Sequence, residues 1–150
     1  MTRILPLAAR DFEDWLPLWH GYLEFYEHEL TAEQTMLTFD RLTDPGFPAW
    51  GALARDAEGR AIGFVNWLTH PSTWAAQPYC YLEDLFVAPD VRGSGAGRAL
   101  IETVTTWARE RGCAEVYWLT AEKNATARAL YDRVAERTGF IHYGIPLDGD

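Results

Sequence analysis

Two stretches of this 150-residue chain carry residue types whose spacing could do chemistry. In the first, Val87-Ala88-Pro89-Asp90-Val91-Arg92-Gly93-Ser94-Gly95-Ala96-Gly97-Arg98-Ala99-Leu100, an apolar run meets three glycines at alternate positions and continues as a helix. Glycine tolerates φ > 0 and lets backbone approach a ligand closely, so successive N–H groups can face one point. The helix start adds unpaired donors and a positive dipole end, a combination that suits a pyrophosphate. Arg92 and Arg98 flank the turn and supply formal charge. A dinucleotide fingerprint looks similar, but it follows the first strand, whereas these glycines lie past mid-chain. A Walker loop needs Gly-Lys-Ser/Thr, which the chain lacks. On the glycines alone, a tight strand-to-helix connection without ligand stays open.

The second stretch, Tyr81-Leu82-Glu83-Asp84-Leu85-Phe86-Val87, sets two adjacent carboxylates in an apolar strand. Strand alternation puts Glu83 on one face with Tyr81, Leu85 and Val87, and Asp84 on the other with Leu82 and Phe86. Unless a bulge intervenes, the two acids do not act as a pair. For Asp84, a buried acid tied to backbone donors weighs the same as a functional role. Farther on, Tyr131 follows Asn124 by seven residues, close to two helical turns, so both share one side of a helix. On spacing alone such a tyrosine reads as core. His20, His28, His70 and His142 show no ligand spacing, so no metal is expected.

The elements that must position these residues are legible in outline. Ile4 to Leu7 reads as a short edge strand, since Pro6 cannot donate to a central ladder. Leu16, Trp19, Leu23, Tyr26 and Leu30 recur at helical spacing, which predicts a helix from about Asp14, as cap, to Leu30. A second helix is expected from Thr31, its N-cap, to Leu42, with Asp44-Pro45-Gly46 as the stop. Residues 50–55 and 61–69 are strand-like about a turn at 56–60, and 80–87 is a third strand. Leu100, Val104, Trp107 and Ala108 mark the helix after the glycines. A strand over 116–120 buried on both faces, a helix over 124–137 and a last strand over 140–145 complete the chain. This order describes a single mixed α/β domain over residues 1–150, with helices on both faces of one sheet.

Composition narrows the function classes. Forty-eight per cent hydrophobic and 23% charged residues describe a globular protein. A net charge of −9 argues against binding nucleic acid, whose phosphates are held by basic surface. No apolar run is long enough to span a bilayer, and the N-terminus lacks the pattern of a signal peptide. Cys80 and Cys113 lie in apolar patterns and read as free thiols in a reducing cytoplasm. Residues 1–90 carry 5 basic and 14 acidic side chains, so the whole imbalance sits there. A cationic ligand would therefore belong to the first half, although such acids also serve simply to solubilise.

Arg92-Gly93-Ser94-Gly95-Ala96-Gly97 after the Tyr81–Val87 strand resembles the acetyl-CoA signature of the GCN5-related N-acetyltransferases (GNAT). Asn124-Ala125-Thr126-Ala127, Leu130-Tyr131 and Gly139-Phe140 resemble that family's second block, with Tyr131 to Gly139 about a turn longer than its usual spacing. The likeness runs from Ile4 to Ile145. The Tyr-Leu-Glu-Asp strand is similar to spermidine/spermine N1-acetyltransferases. The Gly21–Tyr26 segment and the Phe140-Ile141-His142-Tyr143 ending look more like a fungal and bacterial branch acting on polyamines, histones or D-amino acids.

The resemblance implies a GNAT domain and attack of a primary amine on the thioester of acetyl-CoA. It implies Glu83 as a base acting through water and Tyr131 as the acid that protonates the departing thiolate. It also implies backbone pairing of Leu85, Phe86 and Val87 with the pantetheine arm. Arg92, Gly93, Ser94, Gly95, Ala96, Gly97, Arg98 and Asn124 complete the cofactor contacts, and Asp84 is a substrate or structural contact. For the acceptor, Glu24, Glu27 and Glu29 with Trp19, Tyr22, Tyr26 and Trp74 could form an acidic, aromatic groove for a polyamine. Each of these glutamates taken singly reads as solvent-facing. Polyamines come first as acceptors and amino acids second. A protein amine as acceptor and a CoA-binding module without catalysis are the other readings. Relatives of this kind are often homodimers, which nothing in these residues proves.

Overall fold

The computed structural model describes residues 1–147. The chain divides into two compact units, residues 1–118 and 119–150. The first holds a five-stranded sheet in the order β1 (Arg3–Pro6), β2 (Ala49–Arg55), β3 (Ala61–His70), β4 (Tyr79–Val87) and β5 (Glu115–Tyr117). The first four strands are antiparallel to their neighbours, and β5 runs parallel to β4. β1 is an edge strand, where the missing N–H of Pro6 costs least.

Helices α1 (Phe12–Phe25) and α2 (Ala32–Leu42) cover one face. There Trp15, Leu18, Trp19 and Leu23 of α1 and Phe39 of α2 form the core with Leu53, Phe64 and Phe86 of the sheet. Helix α3 (Ala96–Glu110) covers the other face through Leu100, Ile101, Val104 and Ala108. On that face Trp107 packs against Trp50 and Trp67, with ring centroids 4.7 and 5.5 Å away.

The expected caps are half right. Thr31 caps α2, its hydroxyl accepting from the Gln34 N–H at 3.0 Å. Helix α1, however, starts two residues before Asp14 and stops five before Leu30. Its end is fixed by backbone geometry. The His28 N–H donates to the Leu23 carbonyl and the Glu27 N–H to that of Glu24, both at 3.0 Å. This arrangement needs a left-handed residue at the turn, and Glu27 occupies it with φ +52°. Glu27 and Glu29 therefore lie beyond the helix. At its start, Arg55 of β2 grips Asp11 and Asp14, each at 3.0 Å.

Near the chain's end the sequence pattern overreaches. Strand β5 has three partly exposed residues rather than a doubly buried run over 116–120, because its ladder with β4 stops at Tyr81–Tyr117. In the second unit α4 spans Ala125–Val134, shorter than 124–137. The expected strand over 140–145 has no ladder among the described residues. Apolar alternation proposes a strand, but only a partner's backbone makes one.

Candidate active site

The pairing of β3 with β4 contains one irregularity, and it falls on the acids. Asn66 pairs with Asp84 and Trp67 with Leu82, so Glu83 has no partner across the ladder. This is a β-bulge, which re-aims side chains and breaks alternation. Leu82 goes with Trp67 to the α3 face, while Asp84 goes with Asn66 and Phe86 to the α1 face. The expectation that Asp84 and Leu82 share a face is thus corrected. Glu83, the extra residue, is left exposed.

Asp84 is held by side chains rather than by backbone donors. The Tyr22 hydroxyl donates to its Oδ1 at 2.7 Å and the Asn66 amide to its Oδ2 at 3.1 Å. Burial raises its carboxyl above the ordinary value although both donors act in the opposite sense. Glu83 is raised too, by desolvation first and then by the Asp84 charge. The Tyr22 hydroxyl is driven far up by burial and by Asp84.

A stability prediction follows for Asp84. A raised folded-state pKa means that the ionised group costs stability, absent below the ordinary carboxylate range and fully present once pH passes the raised value. Asp84→Asn keeps both hydrogen bonds, its amide donating to the Tyr22 oxygen and its carbonyl accepting from Asn66. It should stabilise the protein at pH 7. The gain should vanish toward pH ~3, where Asp84 is protonated. Urea denaturation at the two pH values reads this, and a variant less stable than the parent at pH 7 contradicts it.

Strand β4 also presents a free edge. Its ladder with β5 covers only Tyr79 to Tyr81, so later residues have β3 on one side alone. The Ala88 N–H donates to Ile62 at 2.8 Å, which sets the parity: Phe86 turns its backbone groups toward β3, and Leu85 and Val87 turn theirs outward. A Cβ on Gly63 would lie 2.8 Å from the Phe86 carbonyl oxygen, in keeping with that direction. Of the three residues expected to pair with a pantetheine arm, Leu85 and Val87 thus turn their backbone groups outward, and Phe86 turns its own toward β3.

The glycine turn is open. Gly93 and Gly95 sit at φ +86° and +92°, and a Cβ at either would meet nothing within 4 Å. The Ser94 N–H is used by Val91 and that of Ala99 by Gly95. The amides of Gly93, Gly95, Ala96, Gly97 and Arg98 have no acceptor among the described residues. Gly95 is the N-cap of α3 and brings no side-chain cap. Unused donors, clear space and a helix N-terminus fit a diphosphate. The two arginines are partly committed. Arg92 donates its Nε to the Val87 carbonyl at 3.1 Å and lies over the Phe25 and Phe86 rings, while Arg98 pairs with Glu102 at 3.2 Å.

The expected acceptor groove does not assemble as drawn. Trp19 is buried, its Nε1 donating to Thr35, and Tyr22 is spent on Asp84. Tyr26 meets the Tyr22 ring edge-on at 5.1 Å and is exposed. Trp74 lies in the loop before β4 and is 79% exposed. Glu24, Glu27 and Glu29 are exposed. An open cavity of ≈ 640 Å³ beside α1 is lined by Gly21, Phe25, Phe86 and Arg92 but by neither Glu83 nor the free amides. What sequence reasoning missed is an aromatic group on β3, β4 and β5: His70, Tyr79, Tyr81 and Tyr117. Its one sequence signal is Tyr79 and Tyr81 at strand spacing, two residues before Glu83.

In the second unit, Asn124 precedes α4 and accepts the Arg128 N–H at 3.0 Å, while Tyr131 lies in the helix's last turns. Among the described residues, no cluster of His, Cys, Asp and Glu could hold a metal, and no helix is long and apolar enough to cross a membrane. Both cysteines are free thiols, and burial, then Cys113, pushes Cys80 up to about 12.

Residues 9–135 match the model of the acetyltransferase (GNAT) family. The D-amino-acid N-acetyltransferase HPA3 of Saccharomyces cerevisiae is 41% identical over 138 residues, covering 91% of this chain and 86% of that protein. A thialysine N-ε-acetyltransferase of Caenorhabditis elegans is 32% identical over 94 residues, 55% of this chain and 58% of that one. In three dimensions the aminoglycoside acetyltransferase AAC(6')-Iy, solved with a CoA-based bisubstrate analogue, superposes with a TM-score of 0.84 at 20% identity, covering 98% of this chain and 99% of that one.

Proposed function

The chain belongs to the acetyltransferase (GNAT) family, whose co-substrate is acetyl-CoA, and from that premise we propose that it acetylates a primary amine of a small molecule by direct attack. The acceptor is a polyamine or an amino acid, and the relatives that act on a D-amino acid and on thialysine support the amino acid. Both units together form one transferase domain over residues 1–150, in keeping with a family match that spans 9–135. A cytoplasmic location and a homodimeric assembly belong to the same proposal.

Acetyl-CoA supplies an activated thioester. The turn from Arg92 to Arg98 holds its diphosphate through free amides, and the outward edge of Leu85 and Val87 takes the pantetheine arm, with Asn124 as a further contact. An alkylammonium has a pKa of roughly 10, so a base must act before its nitrogen can attack. Glu83 removes that proton through water, and the freed lone pair forms the N–C bond. As the C–S bond breaks, the Tyr131 hydroxyl protonates the sulfur; the nitrogen's second proton leaves to solvent as the amide forms, and solvent returns one to the tyrosinate. The observation that carries this reading is the bulge, which places Glu83 unpaired at the open edge of β4 with a raised pKa.

Thiol release from acetyl-CoA, measured across a panel of amines, tests it. Turnover with small amines is expected. Tight CoA binding with no turnover would instead favour a non-catalytic module, and a basic peptide outcompeting every small amine would favour a protein acceptor. Tyr131→Phe should lower kcat by about 100-fold while acetyl-CoA affinity stays nearly intact. An unchanged kcat would remove Tyr131 from the mechanism.

A further inference from the structure

The aromatic group that the proposed mechanism leaves unused lies on the α1 face of the sheet, two residues along β4 from Glu83. Tyr81 pairs with Tyr117 in the parallel ladder, and their rings stack at 4.9 Å and 23°. Tyr79 pairs with Glu115 one step farther out and with His70 across β3. The rings of His70, Tyr79 and Tyr81 are all within 6.3 Å of the Tyr117 ring.

The cluster is preorganised. The His70 Nδ1 lies 2.8 Å from the Pro71 carbonyl, which can only accept, so the neutral ring carries its proton on Nδ1. The Nε2 is then free to accept from the Tyr117 hydroxyl at 2.8 Å. That bond fixes the Tyr117 ring against Tyr81. Both rings are half-buried, with one part still open to solvent.

Charge decides what such a surface takes. Glu83 stands at one end of the ring stack and Glu115, exposed, at the other, and neither forms an ion pair among the described residues. Both act electrostatically on Tyr117. Ring faces between two unpaired acids attract cations and repel carboxylates. Four strand residues separate the level of Glu83 from that of Tyr79 and Glu115, about 13 Å of strand. A linear triamine is long enough to reach along this track, and a short monoamine is not.

The geometry points to a subsite here for a second ammonium group of the acceptor, its alkyl chain lying over Tyr81 and Tyr117 and its distal charge at Glu115. The assignment rests on the reading of Glu83 as the place where the reacting amine sits. It narrows the acceptor to amines that carry a second positive charge.

Spermidine and n-propylamine are the probes, compared by kcat/KM in the parent, Tyr117→Leu and Glu115→Gln. The triamine-to-monoamine ratio should fall about tenfold in Tyr117→Leu, the range of one cation–π contact partly shielded from water. Glu115→Gln should lower it several-fold, mainly through the KM for spermidine. Tyr117→Phe keeps the ring and should keep most of the preference, which separates ring contact from loss of fold. Calorimetric titration of spermidine into the CoA-loaded protein should weaken in parallel. A parent that prefers n-propylamine, or variants that slow both amines equally, would overturn the subsite while leaving the transferase reading intact. A parent that acetylates no amine overturns both.

Discussion

Gly95→Glu should abolish acetyl-CoA binding and leave the fold standing. Gly95 has φ +92°, and a Cβ there meets nothing within 4 Å, so the substitution costs only the left-handed conformation, roughly 1–2 kcal/mol. The same clear space is the one proposed to hold the diphosphate. A carboxylate there repels a polyanion and covers the amides at the start of α3, which lack acceptors among the described residues. Losing two charge-assisted hydrogen bonds at about 1.5–3 kcal/mol each corresponds to a drop in affinity of about 100-fold or more. Titration calorimetry with acetyl-CoA reads the loss, and circular dichroism confirms the fold. Retained affinity would discredit the turn as the phosphate site.

Glu83→Gln should lower kcat at pH 7 by about 100- to 10,000-fold, the range for removing a positioned base. Acetyl-CoA affinity should hardly change, since the side chain lies outside the glycine turn. The pH profile carries the sharper information. A base works when deprotonated, and Glu83 is raised by desolvation and by Asp84, so activity should fall on the acid side at a pH above the ordinary glutamate range. Asp84→Asn removes the neighbouring charge and should move that limb to lower pH. In Glu83→Gln the deficit should shrink as pH climbs toward the amine's own pKa, because the acceptor then loses its proton unaided. A deficit constant across that range would mean that Glu83 does something other than abstract a proton.

How far such a site can be read in advance depends on the range of the forces that build it. The glycines at 93 and 95 announce a turn because only glycine adopts positive φ cheaply, and both do so. Thr31 announces a cap because its hydroxyl reaches an amide three residues away. The end of α1 was not legible. Glutamate is a poor left-handed residue, and the backbone bonds that hold Glu27 there leave no mark in the apolar spacing. Trp19 and Tyr22 looked like groove residues because helical periodicity cannot tell which face meets the core and which meets solvent.

By itself the amino-acid sequence determined the features whose energetics are local: the glycine turn, the helix that follows it, the strand that bears the acids, and through their order the family. The folded molecule decided the rest. Glu83 is unpaired because the register of β3 against β4 shifts at Asn66 and Trp67, and no inspection of β4 alone contains that shift. Asp84 is held by Tyr22, 62 residues away, and by Asn66, 18 away. Tyr81 meets Tyr117 only because a parallel strand returns beside it after α3. Hydrogen bonds and ring contacts act over a few ångströms of space, whatever their separation along the chain, so the acids acquire their surroundings only when the sheet closes around them.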